Sequence, residues 1–190
     1  MLDKLNYKNV VIKKYYKDQI DEQKLLSKKV KLYCHNKRLE SLNLAIKNKN
    51  NVAIFDDGLQ DTSINYDLNF VCFNSLKWIG NGCLIPAGPL REKLSSLSKY
   101  DGIFLNGNEE STTKIKKVIK KNNSNIKVFE TFYKPLNLSE FNLKNKFIIF
   151  SGIGNPDSFK ETLIKNKFNV IDNLKFPDHY KYKKKDISAI

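Results

Sequence analysis

Apolar residues in this chain come in short, dense runs separated by longer polar stretches. Four runs are continuous: NVAIF, FVCF, GIFL and FIIF. Each is short and rich in β-branched or aromatic residues, which suits strands buried on both faces, as in a parallel sheet. Before them, YKNVVIKKYY reads as a strand and DEQKLLSKKVKLYCH is mixed. NKRLESLNLAIKNKN places Leu39, Leu42, Leu44 and Ile46 close to helical spacing. Strand, helix, strand is the grammar of a parallel sheet. Further on, DLNFVCF and DGIFLNG predict strands, TTKIKKVIKKN a short basic helix and IKVFETFY a strand.

KPLNLSEFNLKN is polar, starts near a proline and reads as a linker or a pair of extended segments. KFIIFSGIGNP then opens a second unit: a strand, a Gly-rich turn, and the helix PDSFKETLIKNK with Pro156 in its first turn. NVIDNLKF follows as a strand and ends at PDHY. The expected fold is therefore α/β, a mostly parallel sheet with flanking helices. Residues 1–134 are expected to form a first α/β domain, 135–145 a linker, and 146–190 the start of a second α/β domain. In such sheets ligands bind beyond the carboxyl ends of the strands. Asp56 and Asp57, the segment from Ser151 to Gly154, and Asp178 with His179 all fall at such ends.

Composition narrows the function classes. The chain has 190 residues, 41% hydrophobic and 12% aromatic, and a formal net charge of +14. It can build a packed core, and no run approaches the roughly 18 apolar residues that span a bilayer. The first residues lack the apolar core of a signal peptide. A positive field attracts nucleic acid, anionic lipid or phosphorylated substrates. The lysines are scattered, apart from Lys183 to Lys185, and abundant Lys, Asn and Ile fit AT-rich coding, so a nucleic-acid partner is not expected. Cys34, Cys72 and Cys83 are odd in number and far apart. With Cys72 and Cys83 in apolar contexts, buried free thiols are expected.

Against that charge, NVAIFDDGLQD ends a strand in three acids. Two readings fit. One is a capped turn, since Asp and Gly are ordinary loop residues. The other is the Mg²⁺ end of a phosphate-handling site, because Mg²⁺ takes few carboxylates and completes its shell with water and phosphate. WIGNGCLIPAGPLRE is more constrained. Gly82 and Gly88 permit unusual backbone angles or close approach, and Pro86 and Pro89 stiffen the loop. Arg91 is one of only two arginines and a planar donor suited to phosphate. A structural Arg91–Glu92 ion pair is the plainer alternative. SGIGNP lacks the third glycine of a dinucleotide fingerprint. A helix starting near Pro156 could still meet an anion. FPDHY sets Asp178 beside His179, one of two histidines, where a general base or a structural residue both fit. Asp21 and Glu22 in IDEQKLL suit a helix start. His35 has no acid neighbour.

In order along the chain, DDGLQ with YDLNFVCFN, GNGCLIPAGPLRE, SGIGNPDSF, FPDHYKYKKKDI and DEQKLL resemble the tetraacyldisaccharide 4′-kinases of lipid A (lipopolysaccharide) biosynthesis. GNGCLIPAGPLRE is the most specific of these. The resemblance implies a P-loop-kinase-like fold and transfer of the γ-phosphoryl group of ATP to the 4′-hydroxyl of a lipid A disaccharide precursor, at the cytoplasmic face of the inner membrane. It also implies Mg²⁺ at Asp56 and Asp57, and a base formed by Asp21 and His179. Substrate or phosphate contacts would come from Gln60, Asn81, Gly88 and Arg91.

The chain departs from the family pattern in several places. It contains no G-x-x-x-x-G-K-[ST] loop, and no glycine precedes Gly58. It stops before a Thr-Thr-Glu-Lys-Asp element. IDEQ lacks the glycine and proline of the family's Gly-Asp-Glu-Pro, and Asp61 stands where His is frequent, so Asp61 is given no role. An incomplete, inactive chain missing the first strand and the P-loop is expected. The alternative is a non-catalytic relative that binds anionic lipid or sugar phosphate.

Overall fold

The computed structural model describes residues 2–107 and 112–188. They form two compact units, Met1–Asn65 with Asn142–Ile190, and Tyr66–Phe141.

In the first unit, β1 (Asn9–Lys14) is central, with β2 (Leu32–His35) and β3 (Val52–Phe55) on either side, all parallel. Helix α1 (Ile20–Ser27) and α2 (Arg38–Lys47) make the crossovers. Val10, Ile12 and Ala45 are fully or almost fully buried and gather Tyr33, Leu42, Ala53 and Phe55 around them. The return of the chain adds a parallel pair, β7 (Lys146–Ser151) with β8 (Asn169–Lys175), joined by α4 (Pro156–Lys165) and followed by α5 (Lys184–Ser188). Asn155 caps α4 by accepting from the Ser158 N–H at 3.4 Å, and Pro156 takes the first turn, where a missing N–H costs nothing.

The second unit is a parallel sheet β4–β5–β6, with β4 at Phe70–Asn74, β5 at Gly102–Asn106 and β6 at Lys127–Thr131. Ile115 and Ile119 of α3 (Thr112–Asn122), and Leu97 from the 3-10 turn Leu94–Lys99, close over Ile103 and Leu105.

The α/β class and parallel pairing follow the sequence expectation. Three details differ. The strands were expected to be buried on both faces, yet Ile54, Phe70, Phe104, Phe129 and Phe150 are exposed. These side chains alternate onto the face opposite the core-packed ones, such as Ala53 and Phe55 beside Ile54, and Ile103 and Leu105 beside Phe104. Helix α2 buries Arg38, Ser41 and Ala45 rather than the leucine stripe, leaving Leu39 and Ile46 exposed. Polar residues take the inner face because they have partners there, as described below. Cys72 and Cys83 are exposed instead of buried, and all three cysteines are free thiols. Cys72 alternates onto the open face of its sheet and Cys83 lies in a loop.

Candidate active site

The DDG turn is built at the end of β3. Asp56 N–H donates to the Ile12 carbonyl, extending the ladder by one residue. Asp57 then turns through the left-handed region at φ 51°, which Asp tolerates better than most residues. Gly58 is buried just behind it.

Two buried cations hold this turn. Arg38, 7% exposed on α2, donates through Nη2 to the carbonyls of Asp57 at 2.7 Å and Asp56 at 3.3 Å. Its Nη1 lies 3.9 Å from Asp61, which also accepts from the backbone and hydroxyl of Ser63. Those serine bonds first, and then Arg38, hold the Asp61 carboxyl below the usual range. Lys13, 6% exposed on β1, places its ammonium 2.5 Å from Asp56 Oδ2 and 2.9 Å from Glu22 Oε2. Burial works to lower the Lys13 pKa, but its bonds to Asp56 and Glu22 outweigh that, so it is raised overall.

Glu22 opens α1 beside Asp21. Asp21 Oδ2 lies 3.2 Å from His179 Nδ1, which joins the start of α1 to the loop after β8 across 158 residues of sequence. His179 sits at φ 55° in a turn fixed by its N–H donating to Gly152 O at 3.1 Å. A left-handed histidine is unusual and marks a backbone held by its surroundings. Phe176, Tyr180 and Tyr182 pack ring on ring around it in sequence, and Tyr180 donates to Asp186. The Asp21 bond raises the imidazole pKa against desolvation, with help from Asp178 and Glu22. The same bond holds the Asp21 carboxyl below its usual range. His35, by contrast, is tied to Ser41 at 2.9 Å.

The first unit thus gathers Asp21, His179, Asp56 and Asp57 at strand and helix ends. Lys13 and Glu22 connect the two groups, and Gln60 is exposed two residues past Gly58. Donor chemistry at the DDG turn fits Mg²⁺. The Asp56 side chain is 42% exposed, and a carboxylate has about four acceptor sites, so the Lys13 bond leaves capacity. No group of three or more His, Cys, Asp or Glu among the described residues is placed to hold a metal ion by itself, but Mg²⁺ does not require one.

The Gly-Pro loop belongs to the second unit and closes on itself. Asn81 Nδ2 donates to Ala87 O at 2.8 Å, while its Oδ1 accepts from Cys83 N at 3.1 Å. Ile85 N reaches Leu90 O, Leu90 N reaches Cys83 O, and Gly88 N reaches Leu84 O. A side chain on Gly88 would collide with Asn81 and the Cys83 carbonyl. Trp78, at φ 44°, packs its ring tilted against Phe73, with centroids 4.8 Å apart, at the loop's root. Asn81 and Gly88 therefore have architectural work within the loop. Arg91 follows it on the surface. Glu92 accepts from Tyr100, whose hydroxyl is pushed up to about 12 by burial and by that bond.

Sequence reasoning missed Lys13 and Arg38. Lys13 looked like one more lysine in a lysine-rich chain. Arg38 carried the same signal that singled out Arg91, an arginine where lysine is the default.

Residues 6–190 match the family described as tetraacyldisaccharide-1-P 4′-kinase. A tetraacyldisaccharide 4′-kinase of Pelagibacter ubique is 52% identical over all 190 residues, which span 60% of that relative. Enzymes of the same name from Francisella tularensis subsp. novicida and Parvibaculum lavamentivorans are 32% and 29% identical, each over 73% of this chain and 45% and 40% of their own lengths. No solved structure matches.

Proposed function

Because the chain belongs to the tetraacyldisaccharide-1-P 4′-kinase family, we propose that it forms the acceptor and metal part of an enzyme that moves the γ-phosphoryl group of ATP to the 4′-hydroxyl of a lipid A disaccharide precursor. The observation that carries this reading is the Asp21–His179 contact, formed in the same unit as the DDG turn and linked to it through Glu22 and Lys13. Phosphoryl transfer rests mostly on positioning and charge neutralisation, with one base for the attacking hydroxyl.

His179 is that base. Asp21 accepts from Nδ1–H, which fixes the tautomer and leaves Nε2 to take the 4′-hydroxyl proton. Asp21 then stabilises the imidazolium that forms. Asp56 and Asp57 would hold Mg²⁺, which supplies neutralisation of phosphate charge when bound. Lys13 and Arg38 fix the carboxylate and the backbone of that turn before any ligand arrives. Arg91, on its stiff loop, would contact phosphate, with Asn81 and Gly88 shaping the loop and Gln60 near the acids. No G-x-x-x-x-G-K-[ST] loop lies within the 190 residues, so the cradle for the ATP phosphates is assigned to the part of the longer relatives that this chain does not span.

No helix of the described residues is long and apolar enough to cross a membrane. A peripheral position at the cytoplasmic face of the inner membrane accords with a lipid acceptor. The test is a transfer assay with ATP and tetraacyldisaccharide 1-phosphate. The protein assayed is a chimera in which these 190 residues replace the matched segment of the Pelagibacter ubique relative. Turnover that falls at least a hundredfold on His179→Ala supports the reading, and turnover indifferent to that change refutes it.

A further inference from the structure

Asp21 and Glu22 are neighbours in the first turn of α1, about 100° apart around its axis, and they take different partners. Asp21 meets His179 and Glu22 meets Lys13. Lys13 is delivered from β1, where its neighbour across the ladder on β2 is Cys34 and its contact toward β3 is Asp56. A buried ammonium is tolerated only when paired, and Lys13 is paired twice. The charged groups on it are Asp56 from β3 and Glu22 from α1. Those acting on His179 are Asp21 and Glu22 from α1 and Asp178 from its own turn.

We propose that Lys13 is a positioning residue of this site: one ammonium clamps Asp56 and Glu22 together, so that Glu22 is occupied and Asp21 alone on α1 is left to orient His179. The base needs this separation. An imidazole facing a second unmasked carboxylate holds its proton to higher pH and is less available to accept one from a hydroxyl. The clamp also fixes which Asp56 oxygen is engaged and which stays open. The inference rests on His179 being the base, but its test does not use phosphoryl transfer. A failed transfer assay and a failed clamp are therefore separate results.

The experiment follows the His179 ring resonances by NMR through a pH titration of the 190-residue chain. The variants are Lys13→Met, Lys13→Arg, Glu22→Gln and the double change Lys13→Met with Glu22→Gln. Lys13→Met should move the His179 midpoint upward by roughly 0.3 unit, the scale of one unmasked surface charge. Lys13→Arg, which keeps a cation able to bridge two carboxylates, should stay at the wild-type midpoint, and the double variant should return to it. A midpoint that is unchanged or falls in Lys13→Met, or a double variant as high as Lys13→Met, overturns the proposal. If Lys13→Met does not fold, Glu22→Gln decides. A clamped Glu22 acts on His179 only through space, so Glu22→Gln should lower the midpoint by less than Asp21→Asn does, whereas a fall as large as that given by Asp21→Asn overturns the clamp.

Discussion

Replacing Arg38 by Met keeps the aliphatic stem and deletes the fork that holds the DDG turn. Two carbonyls then lose their donor: Asp57 O, bonded at 2.7 Å, and Asp56 O, bonded at 3.3 Å. A hydrogen bond from a charged donor contributes about 1.5–3 kcal/mol, and a buried acceptor left empty costs about 1–3 kcal/mol. Asp57 is exposed and can recruit water in exchange, so its carbonyl falls at the low end. The 3.3 Å bond is the weaker of the two. The 3.9 Å approach to Asp61 adds at most a fraction of a kcal/mol. Together these give about 2–3 kcal/mol for Arg38→Met. Arg38→Lys should cost about 1–2 kcal/mol, because a point charge cannot fork two carbonyls. Cys34, half-buried on β2 beside Lys13, makes a local reporter. With Cys72 and Cys83 changed to Ser, thiol labelling of Cys34 against urea reads the opening of the first unit alone. If both Arg38 variants lie within about 0.5 kcal/mol of the parent, the ordinary range for a surface change, the guanidinium is not what holds the turn.

Asp21→Asn should lower the His179 titration midpoint, because the bond that chiefly raises it is lost; NMR titration checks this. The same pair gives stability a defined pH window. The His179 contribution is full below the ordinary histidine range and is lost as pH rises through the elevated midpoint. The Asp21 contribution is full above the ordinary carboxylate range and is lost as pH falls through its depressed value. Urea midpoints of Asp21→Asn should therefore lose pH dependence at both ends relative to wild type. Gly88→Ala should open the Gly-Pro loop, since the added methyl meets the Cys83 carbonyl as well as Asn81. Protection of the Asn81 side-chain amide and the fluorescence of Trp78, the single tryptophan, should both change. Unaltered spectra would show that the loop yields without cost.

Much of the fold was legible because its strands are short apolar runs and its turns carry Gly, Asn and Pro. Helix α2 shows the limit. The spacing of Leu39, Leu42, Leu44 and Ile46 announced a helix, but Arg38 and Ser41 face inward because the DDG turn and His35 supply their partners. Hydrophobic periodicity carries no record of partners that arrive from other elements. Lys13 is the same case. Beside Lys14 in VVIKKYY nothing local distinguishes the buried lysine from the half-buried one; the difference is set by Asp56 and Glu22, which the fold brings to it. Of the candidate site, Asp56 and Asp57 stood out as acids at a strand end in a basic chain. The Asp21–His179 pair could come only from a resemblance, because no pattern links residues 158 positions apart. The exposure of Cys72 and Cys83 was misjudged because apolar neighbours in sequence were taken for apolar surroundings in space.

The measurement that bears most directly on the account is the pH dependence of kcat/KM for phosphoryl transfer to tetraacyldisaccharide 1-phosphate by the Pelagibacter ubique chimera carrying these 190 residues. The account predicts turnover whose acid limb follows the His179 midpoint found by NMR, shifts downward with Asp21→Asn, and vanishes with its amplitude in His179→Ala, while Asp56→Ala lowers the rate at every pH. A folded chimera that is inactive, or an active one whose acid limb ignores both His179 and Asp21, would contradict it.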